Sequence, residues 1–238
     1  MSSLIEGEPG FVLHARQYKE HSLLIEAFSL NYGRISLTAR SAKKQNSRLK
    51  ALLQPFTPLT LSLLKGRSEL WMLQDCAQAG ELIKLEVPEL FCGTYVNELL
   101  YYLLKHFDPA PELFGLYLNV LHALEKRSDD MELQLRLFEL SLLKQLGLAL
   151  DFHLSSGGRF KENELYGFDI NTGFFPSSGA LQYSFKGREL NALAQERFEE
   201  TQVLQTLKSL TRQCLSALLG TKKLLSRELY RSYIKTMH

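Results

Sequence analysis

Apolar and polar residues alternate with a period near 2 in the first third of the chain and near 3.6 beyond it, which predicts strands followed by helices. Runs of strand length occupy residues 10–18, 22–30, 33–40, 56–65 and 69–78. Ile35, Leu37 and Ala39 alternate cleanly with Arg34, Ser36, Thr38 and Arg40, whereas Val12, His14 and Arg16 alternate imperfectly with Leu13 and Ala15. Asn31-Tyr32-Gly33 reads as a turn, Gly66-Arg67-Ser68 separates the last two runs, and Pro55 and Pro58 put the start of the fourth at an edge or bulge. Five short strands in about 70 residues fit a small closed barrel of the OB type, with an SH3-like barrel as the alternative.

From about residue 88 the spacing turns helical, through Leu99, Leu100, Leu103 and Leu104, then Leu113, Leu116, Tyr117, Val120, Leu121 and Leu124. Pro109 and Pro111 part these two helices, Pro111 at a helix start, and a third helix over residues 131–146 stops near Gly147. Residues 151–187 combine glycines with Phe160, Tyr166, Phe168, Phe174 and Phe175, the pattern of a loop-rich insert with short strands. Helices are expected again near residues 187–194, 201–219 and 226–237. The fold class is α+β: an OB barrel over residues 1–80, then a mainly helical domain over residues 81–238 that carries the insert.

Composition (45% hydrophobic, 23% charged) is ordinary for a globular protein. No run approaches the ~18 apolar residues needed to span a bilayer. The first ten residues lack the basic cluster of a signal or transit peptide, so a cytoplasmic protein is expected. Cys76, Cys92 and Cys214 are odd in number and far apart, so they form neither a disulfide framework nor a metal motif. The net charge of +2 conceals a split. Residues 1–80 carry +4, residues 81–203 carry −8 and residues 204–238 carry +6, an asymmetry that points to a polyanionic partner.

No GxGxxG, GxxxxGK[ST], HExxH or GxSxG motif occurs. The histidines show no i, i+4 pair, and Glu81, Glu86 and Glu89 are spread as on a solvated face. We therefore expect no enzyme and no cofactor.

Between Glu26 and Glu69 there is no acidic residue, while Arg34, Arg40, Lys43, Lys44, Arg48, Lys50, Lys65 and Arg67 fall in that window. Side-chain alternation puts Arg34 and Arg40 on one strand face, and the polar loop that follows supplies Lys43, Lys44 and Arg48, with Lys50 just beyond. Such a stretch suits a phosphate backbone held without base readout. Tyr18, Phe28, Tyr32 and Trp71 are candidate stacking residues, though each also suits core or turn packing. Lys208 and Arg212 belong to a second basic group with Lys222, Lys223, Arg227, Arg231 and Lys235. The last three share a helix face, which reads either as a second DNA stripe or as a solvated helix.

The stretches FVLHARQYKEHSLLIEAFSLNYGRISLTARSAKK (residues 11–44), LKALLQPFTPLTLSL (49–63), YVNELL (95–100), LRLFELSLLKQLG (135–147) and SRELYRSYI (226–234) resemble the RecO family of bacterial recombination-mediator proteins. The resemblance implies an N-terminal OB-fold and a C-terminal helical domain. It implies binding of single- and double-stranded DNA, strand annealing, and loading of recombinase on strands coated by single-stranded DNA-binding protein, together with the RecR protein. It places Arg34, Arg40, Lys43 and Lys44 on the DNA face. It also places Arg136 where the acidic tail of single-stranded DNA-binding protein docks, although an intrahelical pair of Arg136 with Glu132 or Glu139 is the structural alternative. Many family members carry a four-cysteine zinc site after the third helix; here residues 151–158 contain none, so aromatics and loop hydrogen bonds are expected to hold the insert.

Overall fold

β1 (Ser3–Tyr18), β2 (Ser22–Ser29), β3 (Gly33–Ala39), β4 (Leu59–Lys65) and β5 (Leu70–Gln78) close a barrel in the order β1-β2-β3-β5-β4. The structure, a computed structural model, describes residues 3–40, 48–66, 68–154, 157–178 and 183–237. A short helix α1 (Arg48–Leu52) precedes β4. Beyond the barrel follow α2 (Glu89–Leu103), α3 (Pro111–Lys126), α4 (Met131–Gln145), β6 (Leu165–Asp169), β7 (Gly173–Ser177), β8 (Phe185–Lys186), α5 (Gly187–Ala194), α6 (Thr201–Leu219) and α7 (Leu225–Met237).

All barrel pairings are antiparallel except β3 with β5, the arrangement of an OB-type barrel. β1 starts seven residues before the predicted run because it has two neighbours. Its first half pairs with β4, from Ser3↔Lys65 to Gly10↔Leu59, and its second half with β2. The ladder with β4 shifts between Ile5 and Glu8, where Gly7 takes φ 75, a left-handed conformation that glycine tolerates. Glu8 is buried, and its carboxylate accepts the Asn31 backbone N–H at 2.8 Å and side-chain amide at 2.9 Å, which pins the β2–β3 turn. Inward-facing Ile25, Ile35, Leu37, Leu61, Leu63 and Trp71 fill the barrel, and Leu49 and Leu52 of α1 pack against that core.

Two compact units form: Met1–Ser128 with Lys222–His238, and Asp129–Thr221. The change from strands to helices near residue 80 is thus not where the packing divides. The first unit joins α2, α3 and α7 to the barrel, because Phe11 and Phe28, register partners on β1 and β2, turn apolar rings outward. Phe114 and Tyr117 of α3 cover them, with ring centroids 5.2–6.0 Å apart. The imperfect alternation near Leu13 has the same origin. The register slips between Val12 and His14, residues 10–13 are buried, and the Leu13 carbonyl accepts from Asn97 Nδ2 at 3.4 Å. Tyr117 in turn donates to Asn97 Oδ1 at 2.8 Å.

Residues 104–108 complete the barrel where β3 runs beyond its pairing with β5. Phe107 N–H donates to the Arg34 carbonyl at 3.0 Å, and the Phe107 ring stacks on Trp71 at 5.1 Å. Gly33, at φ 66, lies so close that an added Cβ would fall 2.0 Å from the Asp108 carbonyl oxygen. α7 packs on α2: Glu98 of α2 accepts the Leu225 N–H at 2.7 Å and the Ser226 N–H at 3.1 Å, a carboxylate at a helix N-terminus.

In the second unit α4, α5 and α6 pack with a three-stranded sheet of order β7-β6-β8, so the insert is built of short strands as expected. Its core is aromatic: Phe174 contacts Phe152, Phe160 and Phe168 at centroid distances of 4.8–6.1 Å. Gln213 Nε2 donates to the Phe168 carbonyl at 2.9 Å, tying the sheet to α6.

Candidate nucleic-acid interface

The outer face of β1, β2 and β3 carries the predicted basic surface, but its two ends differ. At one end Glu26 stands across the ladder from both His14 and Ser36. Its carboxylate accepts from Ser36 Oγ at 2.6 Å and Arg34 Nε at 2.9 Å, and His106 Nε2 lies at 3.2 Å. Arg34 also donates to the Leu104 carbonyl at 3.2 Å and lies 4.7 Å from the Tyr101 ring. Arg34 is therefore largely buried and already paired through Nε and Nη1, so it does not stand free on the surface as the sequence alone suggests; the acid-free window of the sequence is closed in space by a β2 residue. Burial pushes the Glu26 carboxyl up, but the hydrogen bonds from Ser36, Arg34 and His106 and the charge of Arg34 outweigh it and leave it below the ordinary value.

The other end is open. Leu24, Thr38, Met72 and Leu64 are successive register partners, so they form one row around the barrel exterior, and exposed Arg16 pairs with Leu24. Beside this row lies a groove of about 300 Å3. Thr38, Leu64, Leu70 and Met72 line its floor; Tyr18, Lys19, Ser22, Arg40 and Gly66 form its rim. Lys19 sits in the β1–β2 turn at φ 51, with its ammonium 5.4 Å from the Tyr18 ring centroid. Lys65 is 5.2 Å from the Trp71 ring. In OB-type barrels the face of strands 2 and 3, between the β1–β2 and β4–β5 loops, is the ligand surface, and this groove lies between those loops.

Of the predicted cations, Arg40 is exposed on the groove rim and Lys50 is exposed on α1. Lys43 and Lys44 lie outside the described residues, as does the side chain of Arg48. Sequence reasoning passed over Arg16 and Lys19, although the alternation that selected Arg40 also turns Arg16 outward. Of the candidate aromatics, Phe28 and Trp71 are buried and Tyr32 packs on Trp71 at 5.1 Å, which leaves Tyr18 in the groove.

The C-terminal basic group divides. Lys222 donates to the Tyr102 carbonyl at 3.0 Å, and Arg227 lies 5.5 Å from the Tyr95 ring. Lys223, Arg231 and Lys235 are exposed. Leu225, Leu229, Tyr230 and Ile234 on α7 are exposed as well.

Arg136 on α4 does not present an open guanidinium. It is 5% exposed and pairs with Glu139 at 3.1 Å, and Glu139 also accepts from Thr211 Oγ1. Glu132, the other intrahelical candidate, is taken by Lys208 at 3.0 Å. Arg136 Nε is buried without a hydrogen-bond partner.

The residues of the insert do not fit a zinc ion. Its segment has no cysteine, His153 Nδ1 is 2.6 Å from Asp151 Oδ1, and no three His, Cys, Asp or Glu side chains converge among the described residues. No helix among the described residues is long and apolar enough to cross a membrane.

Two family models match the chain: Recombination protein O N terminal over residues 1–80 and Recombination protein O C terminal over residues 87–228. The DNA repair protein RecO of Glaesserella parasuis is 39% identical over 227 residues, covering 94% of this chain and 95% of that protein. The DNA repair protein RecO of Methylococcus capsulatus is 40% identical over 93% of this chain and 91% of its own length. That of Pasteurella multocida is 40% identical over 98% of each.

Proposed function

Because the chain belongs to the recombination protein O (RecO) family of DNA repair proteins, we propose that it is a non-catalytic mediator that binds single- and double-stranded DNA, anneals complementary strands and helps load recombinase on strands coated by single-stranded DNA-binding protein. The observation that carries the DNA-binding part is the open end of the barrel face, where Lys19 and Arg40 line the groove between the two ligand loops and exposed Arg16 stands at the end of the row beside it. Lys43, Lys44, Arg48 and Lys50 follow Arg40 in sequence and extend the same cationic stretch. Annealing needs no cofactor, because cations that neutralise phosphates let two like-charged strands approach. Lys223, Arg231 and Lys235 on α7 are candidates for holding a second strand. Such a protein works at the nucleoid in the cytoplasm, with RecR as its partner. Binding of the acidic tail of single-stranded DNA-binding protein at Arg136 draws support from its unpartnered Nε, and it requires Glu139 to share or release the guanidinium.

The test is a salt titration of single-strand binding for the wild type and an Arg16→Ala/Lys19→Ala/Arg40→Ala variant. Each cation withdrawn from a phosphate lowers the log–log salt slope by about 0.7, so the slope should shrink by roughly 2. Affinity at moderate salt should fall at least tenfold, while the thermal midpoint holds. An unchanged slope would overturn the assignment.

A second reading, a protein-interaction adaptor with incidental DNA contact, is favoured by the apolar residues exposed on α7. It predicts weak salt dependence in the same titration.

A further inference from the structure

Resting on the DNA-binding reading, we propose that the groove at the barrel mouth accepts one unstacked nucleobase, with Tyr18 as its stacking face, and so makes this end of the barrel selective for single strands.

Three observations converge on a base rather than a backbone alone. The floor is mainly apolar, with Leu64, Leu70 and Met72 side by side, which a phosphate would not seek and a π-face would. Thr38, the floor's hydroxyl, already donates to the Trp71 carbonyl at 3.3 Å, so the floor offers little competing hydrogen bonding. Tyr18, whose ring centroid lies 5.4 Å from the neighbouring Lys19 ammonium, is the candidate aromatic not used in ring packing. It is half-buried at the rim and stacks on no other ring among the described residues, whereas Phe28, Tyr32 and Trp71 are used in packing. At about 300 Å3 the groove has room for one purine. Lys19 and Arg40 flank it, as cations must if the phosphates on either side of a held base are to be gripped.

A duplex cannot use this floor. Its bases are stacked, and extruding one costs a few kcal/mol. A duplex therefore meets the rim cations and not the groove. The ring of Tyr18 should contribute to single-strand binding alone, while Arg40 should contribute to both.

The experiment compares a labelled single-stranded oligonucleotide of mixed sequence with a blunt duplex of the same length at one salt concentration. Tyr18→Ala should weaken single-strand binding by about tenfold, the scale of one lost stacking contact, and change duplex binding less than twofold. Tyr18→Phe should restore the wild-type value. Met72→Trp, which fills the floor and leaves Tyr18 in place, should reproduce the loss and provides the test should Tyr18→Ala fold poorly. Equal losses on both nucleic acids, or none on either, would overturn the pocket. If Lys19→Ala/Arg40→Ala weakens both while Tyr18→Ala and Met72→Trp weaken neither, the pocket fails and the broader DNA reading stands. If none of these variants has an effect, that broader reading fails too.

Discussion

At the scale of single residues, Glu26 is a member of the barrel face whose charge matters to the fold. It holds Arg34, Ser36 and His106 together and ties β2 and β3 to residues 104–108. Its folded carboxyl lies below the ordinary 4.5, so the unfolded chain takes up its proton first as the solution is acidified. The stability it contributes is complete above about 4.5 and drains away as pH falls through the lowered folded value. Glu26→Gln should cost about 1–3 kcal/mol at pH 7 and flatten the acid limb, because it leaves Arg34 without its carboxylate and has no proton to take up. Denaturant midpoints at pH 7 and pH 4 check this; parallel losses at both would count against it. This contact was beyond the reach of a linear reading. Charge counting saw an acid-free window after Glu26, but the strand register brings that same residue back beside Arg34 and Ser36. The exposure of Arg40, by contrast, was legible from the alternation of its strand, and the residues that line the groove beside it include no acid.

At the scale of elements, period and punctuation carried most of the information. The pattern over β3 alternates without a break and its boundaries were read within a residue, as were those of α4. α1 was missed because five residues are too few to show a helical period. The N-terminal half of β1 was missed because its glutamates break the alternation, and buried Glu8 is satisfied by Asn31 of the adjacent β2–β3 turn. The insert behaves as its aromatic content suggested. At its junction with α5, Gly187 donates to the Glu164 carbonyl at 3.0 Å, and a Cβ there would fall 2.1 Å from the Lys161 carbonyl oxygen. Gly187→Ala should therefore destabilise the Asp129–Thr221 unit by about 1–3 kcal/mol through overpacking, read as an earlier denaturation transition. Single-strand binding at the barrel should be unaffected. A midpoint equal to wild type would mean that the β6–α5 junction yields freely.

At the scale of the whole molecule, the chain does not divide where its secondary structure changes. Residues 1–80 match one family model, yet the barrel they form borrows Phe107 as a stacking partner for Trp71 and lays residues 104–108 along β3. A fragment ending at residue 80 should expose Trp71, the chain's single tryptophan, and show red-shifted emission with a broad unfolding transition. A full-length Phe107→Ala variant should show a smaller shift in the same direction. A fragment with wild-type emission and a sharp transition would show that the barrel is self-sufficient.

The packing of α7 on α2 sets a timetable for synthesis. Glu98 leaves the ribosome long before Leu225 and Ser226, the residues whose N–H groups it accepts. At ordinary translation rates the intervening chain takes ~10 s to make. During that interval Phe91, Tyr95 and Glu98 have no helix to receive, and the Asp129–Thr221 unit has time to fold. The unit that begins first is therefore finished last, and a ribosome stalled before residue 225 would hold a chain whose α2 face is still bare.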